Sequence, residues 1–598
     1  MATNDNASAK GEVFNYPTPK EWPNRPYVNP EKSNPVVRGV ALSVGASLIS
    51  SVSAVQNYLW SNAGFNGLRT IKELATVEPR YDPAVIPVEQ AYSGSAEDTQ
   101  LYPRDINIRE IDPKKGHYTA AHYHALFKSK QLTPSAVVEA LFPHIRRDVP
   151  SPSEHSKAFL DSKLDIIRKN AQASTQRYED GKSLGVMDGV PVAVKDEVDL
   201  EGYKKTFGSK RDFTDKAAGT SWCVKKWEEY GAIVVGKLNM HELGMDTTNN
   251  NPNCGTPLNP FNDHYYTGGS SGGSGYAVST GLVPIALGAD GGGSIRIPAN
   301  YCSVYGLKPS HGRVSGSPSK SLANTTGVLG PLAASMEDLE ISYRIMAKPL
   351  PDGAGWSFPS PSSTTATSKR VIGIYQEWLD RADAPVKAIC QAALDYFQHE
   401  LNYTIVRISI PFVPEGQTAH AMTILSEIST GINADVTDLT APNKVLISVG
   451  AKTPASDFLL AQKLRHILMQ HMAAVFKSNP GLILISPTTP NPGWHISGGA
   501  GDLKYGVTDG NMSMRSMEYV WFANFTGLPS LSVPAGYVDP VGGDGKIPVG
   551  LMATAEWGHE DQLIRWGKQH ESWFDSRTEG GKRRSGKWLD VVEMAKGV

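Results

Sequence analysis

The chain has 598 residues, 40% hydrophobic and 20% charged, with 57 Gly and 41 Pro. This excludes a disordered or fibrous chain and supplies a core larger than one minimal domain needs. A net charge of −2 and a pI near 6.7 give no general attraction to nucleic acid, so no nucleic-acid partner is expected.

Residues 1–35 are rich in Asn, Pro and Lys and read as an arm over the surface or as a disordered segment. No apolar signal core opens the chain. The four cysteines, Cys223, Cys254, Cys302 and Cys390, are scattered and form neither a disulfide framework nor a zinc pattern. An intracellular, reducing compartment is therefore expected. Over 36–60, Val37, Val40, Ala41, Val44, Leu48, Val52, Val55 and Leu59 recur at helical steps and predict one apolar stripe. Two readings of that helix stand: it packs on the body of the protein, or it lies at a membrane surface as a peripheral contact. Residues 61–115 read as an irregular connector.

From 116 onward the pattern turns regular. Helices are predicted over 119–129, 134–147 and 220–230, and strands over 190–194, 233–235, 371–374 and 482–485. This alternation predicts an α/β fold. Residues 357–369 read as a surface loop, and Lys582, Arg583 and Arg584 as a solvated tail.

Chemistry concentrates at two glycine-rich clusters. One is Gly268-Gly269-Ser270-Ser271-Gly272-Gly273; the other is Gly291-Gly292-Gly293-Ser294, preceded by Asp290 and followed by Ile295-Arg296. An apolar, helix-like stretch joins them. Such glycine density lets the backbone approach a ligand in ways a Cβ prevents. A pair of flexible turns is one reading, against which the apolar flank Leu282–Leu287 stands, and a phosphate cradle is a second, but no Gly-x-x-x-x-Gly-Lys-Ser/Thr is present. The third reading is a nucleophile, Ser294, with an oxyanion hole made by the N–H groups of Gly291, Gly292, Gly293 and Ser294. Asp290 and Arg296 read as a pair bracing this loop, and Ser271 as hydrogen-bonding support. The formal Gly-x-Ser-x-Gly match at 268–272 lacks the strand a nucleophile elbow needs. His241 and His264 have no acidic partner motif and read as structural.

A nucleophilic serine needs a base. Lys195 ends the apolar run that begins at Val190, an unusual place for lysine. Burial can convert a lysine, whose reference pKa is about 10.4, into a competent base. Asp196, Glu197 and Asp199 follow it. Strand alternation sends Asp196 to the opposite face and Glu197 to the same face as Lys195.

Together these residues resemble the amidase signature family. Its pattern is Gly-x-Pro-x-x-x-Lys-Asp (here from Gly189), Gly-Gly-Ser-Ser-Gly-Gly and Gly-Gly-Ser-Ile-Arg-x-Pro, with two serines spaced as Ser270 and Ser294 are, 24 residues apart. Within the family, Met240-His241-Glu242-Leu243-Gly244-Met245, Ala455-Ser456-Asp457-Phe458 and Pro487-Thr488-Thr489 are similar to plant-type fatty acid amide hydrolases, as is the N-terminal extension. Two departures sit beside the site: Ala289 where Thr is usual, and Ser303 where Gly is common.

The resemblance implies a mixed, twisted β-sheet covered by helices over 116–598, with residues 1–115 as a helical N-terminal extension. It implies a cis peptide at Ser270 and a relay in which Lys195 activates Ser294 through Ser270. Gly244 and Met245 would contribute to substrate binding. No metal and no organic cofactor is implied. The substrate would be a small-molecule amide, a lipid such as an N-acylethanolamine, and the protein a homodimer. A general aryl or short-chain amidase, or the glutaminase-type component of a tRNA-dependent amidotransferase, are the alternatives.

Overall fold

The computed structural model describes residues 13–29, 34–87, 116–347 and 369–598, apart from 216 and 218. The loop expected over 357–369 lies outside the described residues except for its last position.

Eleven strands form the main sheet: β1 Phe159–Asp161, β2 Pro191–Lys195, β3 Ile233–Leu238, β4 Ile285–Asp290, β5 Tyr305–Lys308, β6 Val328–Ala333, β7 Val371–Ile374, β8 Thr404–Arg407, β9 Leu482–Pro487, β10 Ser530–Val538 and β11 Ile547–Thr554. Their order is β8-β7-β9-β11-β10-β5-β6-β4-β2-β3-β1. Parallel pairs (β8-β7-β9 and β4-β2-β3) flank an antiparallel centre, so the sheet is mixed. β2, β3, β4 and β9 are buried at every position, as strands covered by helices on both faces must be. Neighbouring β2 and β4 run parallel, with Val194 opposite Leu287. Their C-terminal ends therefore share one edge of the sheet, the place where α/β sheets present their sites.

The apolar segment expected as one helix is two. Helix α1 (Gly39–Ser51) and helix α2 (Ser53–Asn62) meet at a 105° bend. The break falls at Val52, which adopts extended angles of φ −113° and ψ 102°. The expected stripe is also the wrong face. Val40, Val44 and Leu48 are exposed, whereas Leu42 and Ala46 are buried against Val445. Both faces of α1 are apolar, so periodicity alone could not choose between them. The segment that follows is tied to the body by a bidentate pair, Arg69 to Asp457, at 2.7 and 2.8 Å.

Between the glycine clusters the chain forms helix α3 (Gly272–Ser279) and then β4. Gly281, at φ +77°, takes the left-handed conformation that ends a helix. The apolar residues after it, expected as helix-like, instead pair with β2 on one side and β6 on the other. Helix α4 (Arg296–Tyr301) follows the second cluster, and helix α5 (Val413–Gly431) lies against that cluster, with Ile424 beside Gly291 and His420 beside Gly292.

Candidate active site

Lys195 is the last residue of β2 and is 1% exposed. Its Nζ donates to Ser270 Oγ at 2.8 Å and to the Ala289 carbonyl at 3.2 Å, and lies 3.0 Å from Glu197 Oε2. Asp196 turns away, to Lys237 at 3.1 Å and the amides of Thr206 and Gly208 at 3.0 and 3.2 Å. The two carboxylates therefore separate as expected, although both lie in the turn that follows the strand.

Ser270 is buried, and the Gly269–Ser270 peptide is cis. The loop around it is held on several sides. The Gly269 N–H donates to the Thr247 carbonyl at 2.6 Å, and the His241 N–H to the Ser270 carbonyl at 3.1 Å. Asn249 Oδ1 accepts from Gly272 N at 2.9 Å. Ser271 links the two clusters: its Oγ donates to the Ala289 carbonyl at 3.1 Å, and its N–H to the Ser294 carbonyl at 3.1 Å. Gly244, at φ +77°, approaches Ser270 so closely that a Cβ there would lie 3.7 Å from Ser270 Oγ.

Ser294 sits between β4 and α4, half-buried. The loop before it is braced by Asp290, whose carboxylate accepts from Gly293 N at 2.7 Å, Ile295 N at 3.1 Å, and Arg296 Nε and Nη2 at 3.0 Å each. Both side chains of the pair are fully buried. Burial pushes the Asp290 carboxyl up, but the Arg296 guanidinium outweighs it and holds the group well below the usual carboxylate range. One oxyanion expectation is corrected here: the Gly293 N–H is already engaged by Asp290. Among the described residues, the N–H groups of Gly291, Gly292 and Ser294 have no internal acceptor.

Asp290→Ala leaves a buried guanidinium unpaired. We expect a loss of about 3–5 kcal/mol, read as a lowered denaturant midpoint. Since the folded-state value is depressed, the wild-type contribution is present above the ordinary carboxylate range. It is lost only as pH falls through that depressed value.

Ser294, Gly292, Gly244 and Met245 open into a cavity of about 1060 Å³. Its walls include Leu42, Ala46 and Ile49 of α1, Ile424 and Leu425 of α5, and Met514 and Met517. Two lining residues were not singled out from sequence. Asp246 accepts from Ser513 Oγ and from Thr247 N, and burial raises its carboxyl pKa. His420, on α5, contacts the Gly291 carbonyl at 2.7 Å. No motif surrounds His420, and Asp246 directly follows the Met240–Met245 run without being marked by it. His241 is buried beside Lys195, and its imidazole is pushed down to about 3, by burial first and the Lys195 charge second. His264 is exposed and stacks on His495.

The chain as a whole is similar to known proteins. The sequence model of the amidase family matches residues 152–564. A fatty acid amide hydrolase of Medicago truncatula is 34% identical over 469 residues, 74% of each chain. A component of the glutamyl-tRNA(Gln) amidotransferase of Thermus thermophilus is 31% identical over 63% of this chain and 83% of its own. Among solved structures, a bacterial aryl acylamidase of the amidase signature enzymes superposes with a TM-score of 0.65 at 25% identity. That match covers 81% of this chain and 99% of the other.

Proposed function

The chain belongs to the amidase family, and from that premise we propose that it hydrolyses fatty acid amides, such as N-acylethanolamines, to a fatty acid and an amine. In this reading Lys195, as the neutral amine, takes a proton from Ser270, which takes one from Ser294. Ser294 attacks the amide carbonyl. The oxygen that becomes negative rests on the free N–H groups of Gly291, Gly292 and Ser294. The proton returns through Ser270 to the nitrogen, because an amide does not readily expel an unprotonated amine. Water then cleaves the acyl-enzyme by the reverse relay, releasing the acid and restoring Ser294.

The observation that carries the lipid reading is the apolar cavity onto which Ser294 opens, walled on one side by α1. At about 1060 Å³ it lies at the top of the roughly 300–1,000 Å³ range of small-molecule sites. A primary short-chain amide or glutamine would leave most of it empty. Ala46 is fully buried at this wall. Ala46→Trp should shift the kcat/KM optimum to shorter acyl chains, with a roughly tenfold or greater loss for the longest. An unchanged chain-length profile in a folded variant would remove α1 from the acyl site.

The proposal extends to a peripheral lipid contact and, by family likeness, a homodimer. Val40, Val44 and Leu48 form an exposed apolar ridge on the outer face of α1, at 61, 69 and 60% exposure, one turn apart and back to back with the cavity wall. No single helix among the described residues is long and apolar enough to cross a membrane. Leu48→Glu should reduce co-sedimentation with phospholipid vesicles severalfold while sparing turnover of a water-soluble amide. Equal co-sedimentation would assign the ridge elsewhere.

A further inference from the structure

The second glycine cluster poses a mechanical problem. Gly291, Gly292 and Gly293 stand in a row before Ser294. A peptide plane between two glycines can turn over at little steric cost, because neither residue restricts its dihedrals as a Cβ would. If such a plane turns, an N–H meant for the substrate oxygen is replaced by a carbonyl, which repels it. Something must therefore fix each plane.

Each free N–H in the loop belongs to a peptide whose carbonyl oxygen is held. The Asp290 carbonyl, paired with the Gly291 N–H, accepts from Asn524 Nδ2 at 2.7 Å. The Gly293 carbonyl, paired with the Ser294 N–H, accepts from Ile297 N at 2.7 Å, an ordinary bond of the helix start. The Gly291 carbonyl, paired with the Gly292 N–H, meets His420 Nε2 at 2.7 Å. In a trans peptide the two groups point to opposite sides, so holding the carbonyl aims the N–H. A hydrogen bond to the carbonyl also polarises the amide and strengthens its N–H as a donor.

Among the described residues, the Gly291 carbonyl is the one hydrogen-bond partner of the His420 ring. A carbonyl only accepts, so Nε2 carries the proton and Nδ1 is the bare nitrogen. Nδ1 is buried with no partner among the described residues. Burial holds the imidazole neutral, its pKa pushed down to about 4. The ring packs against Trp521 and Phe525, at 6.3 and 6.1 Å between centroids. It also rests directly on the loop, since a Cβ on Gly292 would come within 2.9 Å of His420 Cε1.

We propose that His420 is a positioning residue of the oxyanion site: by donating from Nε2 to the Gly291 carbonyl it locks the 291–292 peptide so that the Gly292 N–H faces the substrate oxygen. The proposal rests on Ser294 being the nucleophile. His420 does not touch the reacting atoms, so its removal should weaken stabilisation of the developing oxyanion far more than it weakens binding of the acyl chain, although His420 is one of the cavity's lining residues.

The test compares wild type, His420→Leu and His420→Gln in the full chain, using an amide that the wild type hydrolyses. Gln can place an amide N–H where Nε2 stands; Leu cannot. His420→Leu should lose about 10²–10³-fold in kcat with KM within about threefold, the magnitude of one lost oxyanion donor. His420→Gln should recover at least tenfold of that loss. A peptidic or fatty trifluoromethyl ketone, which adds to a serine and becomes an oxyanion, should bind His420→Leu more weakly by the same factor as the fall in kcat/KM. The affinity for a fatty alcohol of the same chain length, which fills the cavity without presenting an oxyanion, should stay within about threefold. Two results would overturn the proposal: kcat unchanged in His420→Leu, or a loss in both variants alike with affinity for the fatty alcohol falling in step, which is the mark of general disruption. Wild type inactive on every amide would instead sink the proposed hydrolysis itself, a separate failure.

Discussion

Ser294→Ala should lower kcat/KM on any amide the protein turns over by on the order of 10⁶-fold, the scale of losing the nucleophile of a serine hydrolase. Among the described residues, its Oγ is the only hydroxyl that both lines the cavity and adjoins unoccupied loop amides on either side of an Asp290-braced turn. No neighbouring group can replace it: Ser270 and Ser271 are fully buried and committed to Lys195 and to the Ala289 carbonyl. Because the Ser294 hydroxyl makes no hydrogen bond among the described residues that holds the fold together, the variant should melt within about 1 °C of wild type, corresponding to about 1 kcal/mol or less for a chain of this length. A fluorophosphonate probe should label the wild type at Ser294 and leave the variant unlabelled. Activity surviving the substitution would mean that another residue attacks the carbonyl.

Lys195→Ala should cost about 10⁴-fold in kcat on amides, at the upper end of general acid–base contributions. The loss should not add to that of Ser294→Ala, since residues acting as one relay fail together. The loss should be smaller on an ester of the same acyl group, because an alcohol leaves with less help from a proton than an amine does. That difference separates a proton carrier from a scaffold: a merely structural lysine would slow both substrates alike. Geometry makes the carrier role concrete. Nζ is 2.8 Å from Ser270 Oγ, and the β2 and β4 ends that carry Lys195 and the nucleophile loop are adjacent in the sheet.

Much of this site can be read from the chain itself, for identifiable reasons. A lysine closing an apolar run is rare enough to mark Lys195, and glycine clusters that each hold a serine mark Ser270 and Ser294. What stayed hidden depends on contacts between distant residues. The Gly293 amide looks like its neighbours in sequence, and only the fold shows that Asp290 takes it. His420 lies 129 residues from Gly291 on a helix with no motif around it. The N-terminal helix misled for a different reason: two apolar faces fit the same period, and the buried pair Leu42 and Ala46 is no more hydrophobic than exposed Val40 and Val44. Segments 285–290 and 276–279 are equally apolar, so only Gly281 separated strand from helix. Ser303, one of the two departures from the family pattern read in the sequence, adopts φ +55°, the left-handed region in which glycine is least strained.

The most direct measurement is kcat/KM for N-acylethanolamines over a series of acyl lengths, alongside benzamide and glutamine, with Ser294→Ala as control. The account predicts values that rise with chain length, exceed those for benzamide and glutamine by at least about tenfold, and vanish in the variant. A flat or short-chain preference that still depends on Ser294 would contradict the fatty acid amide substrate while leaving the relay in place.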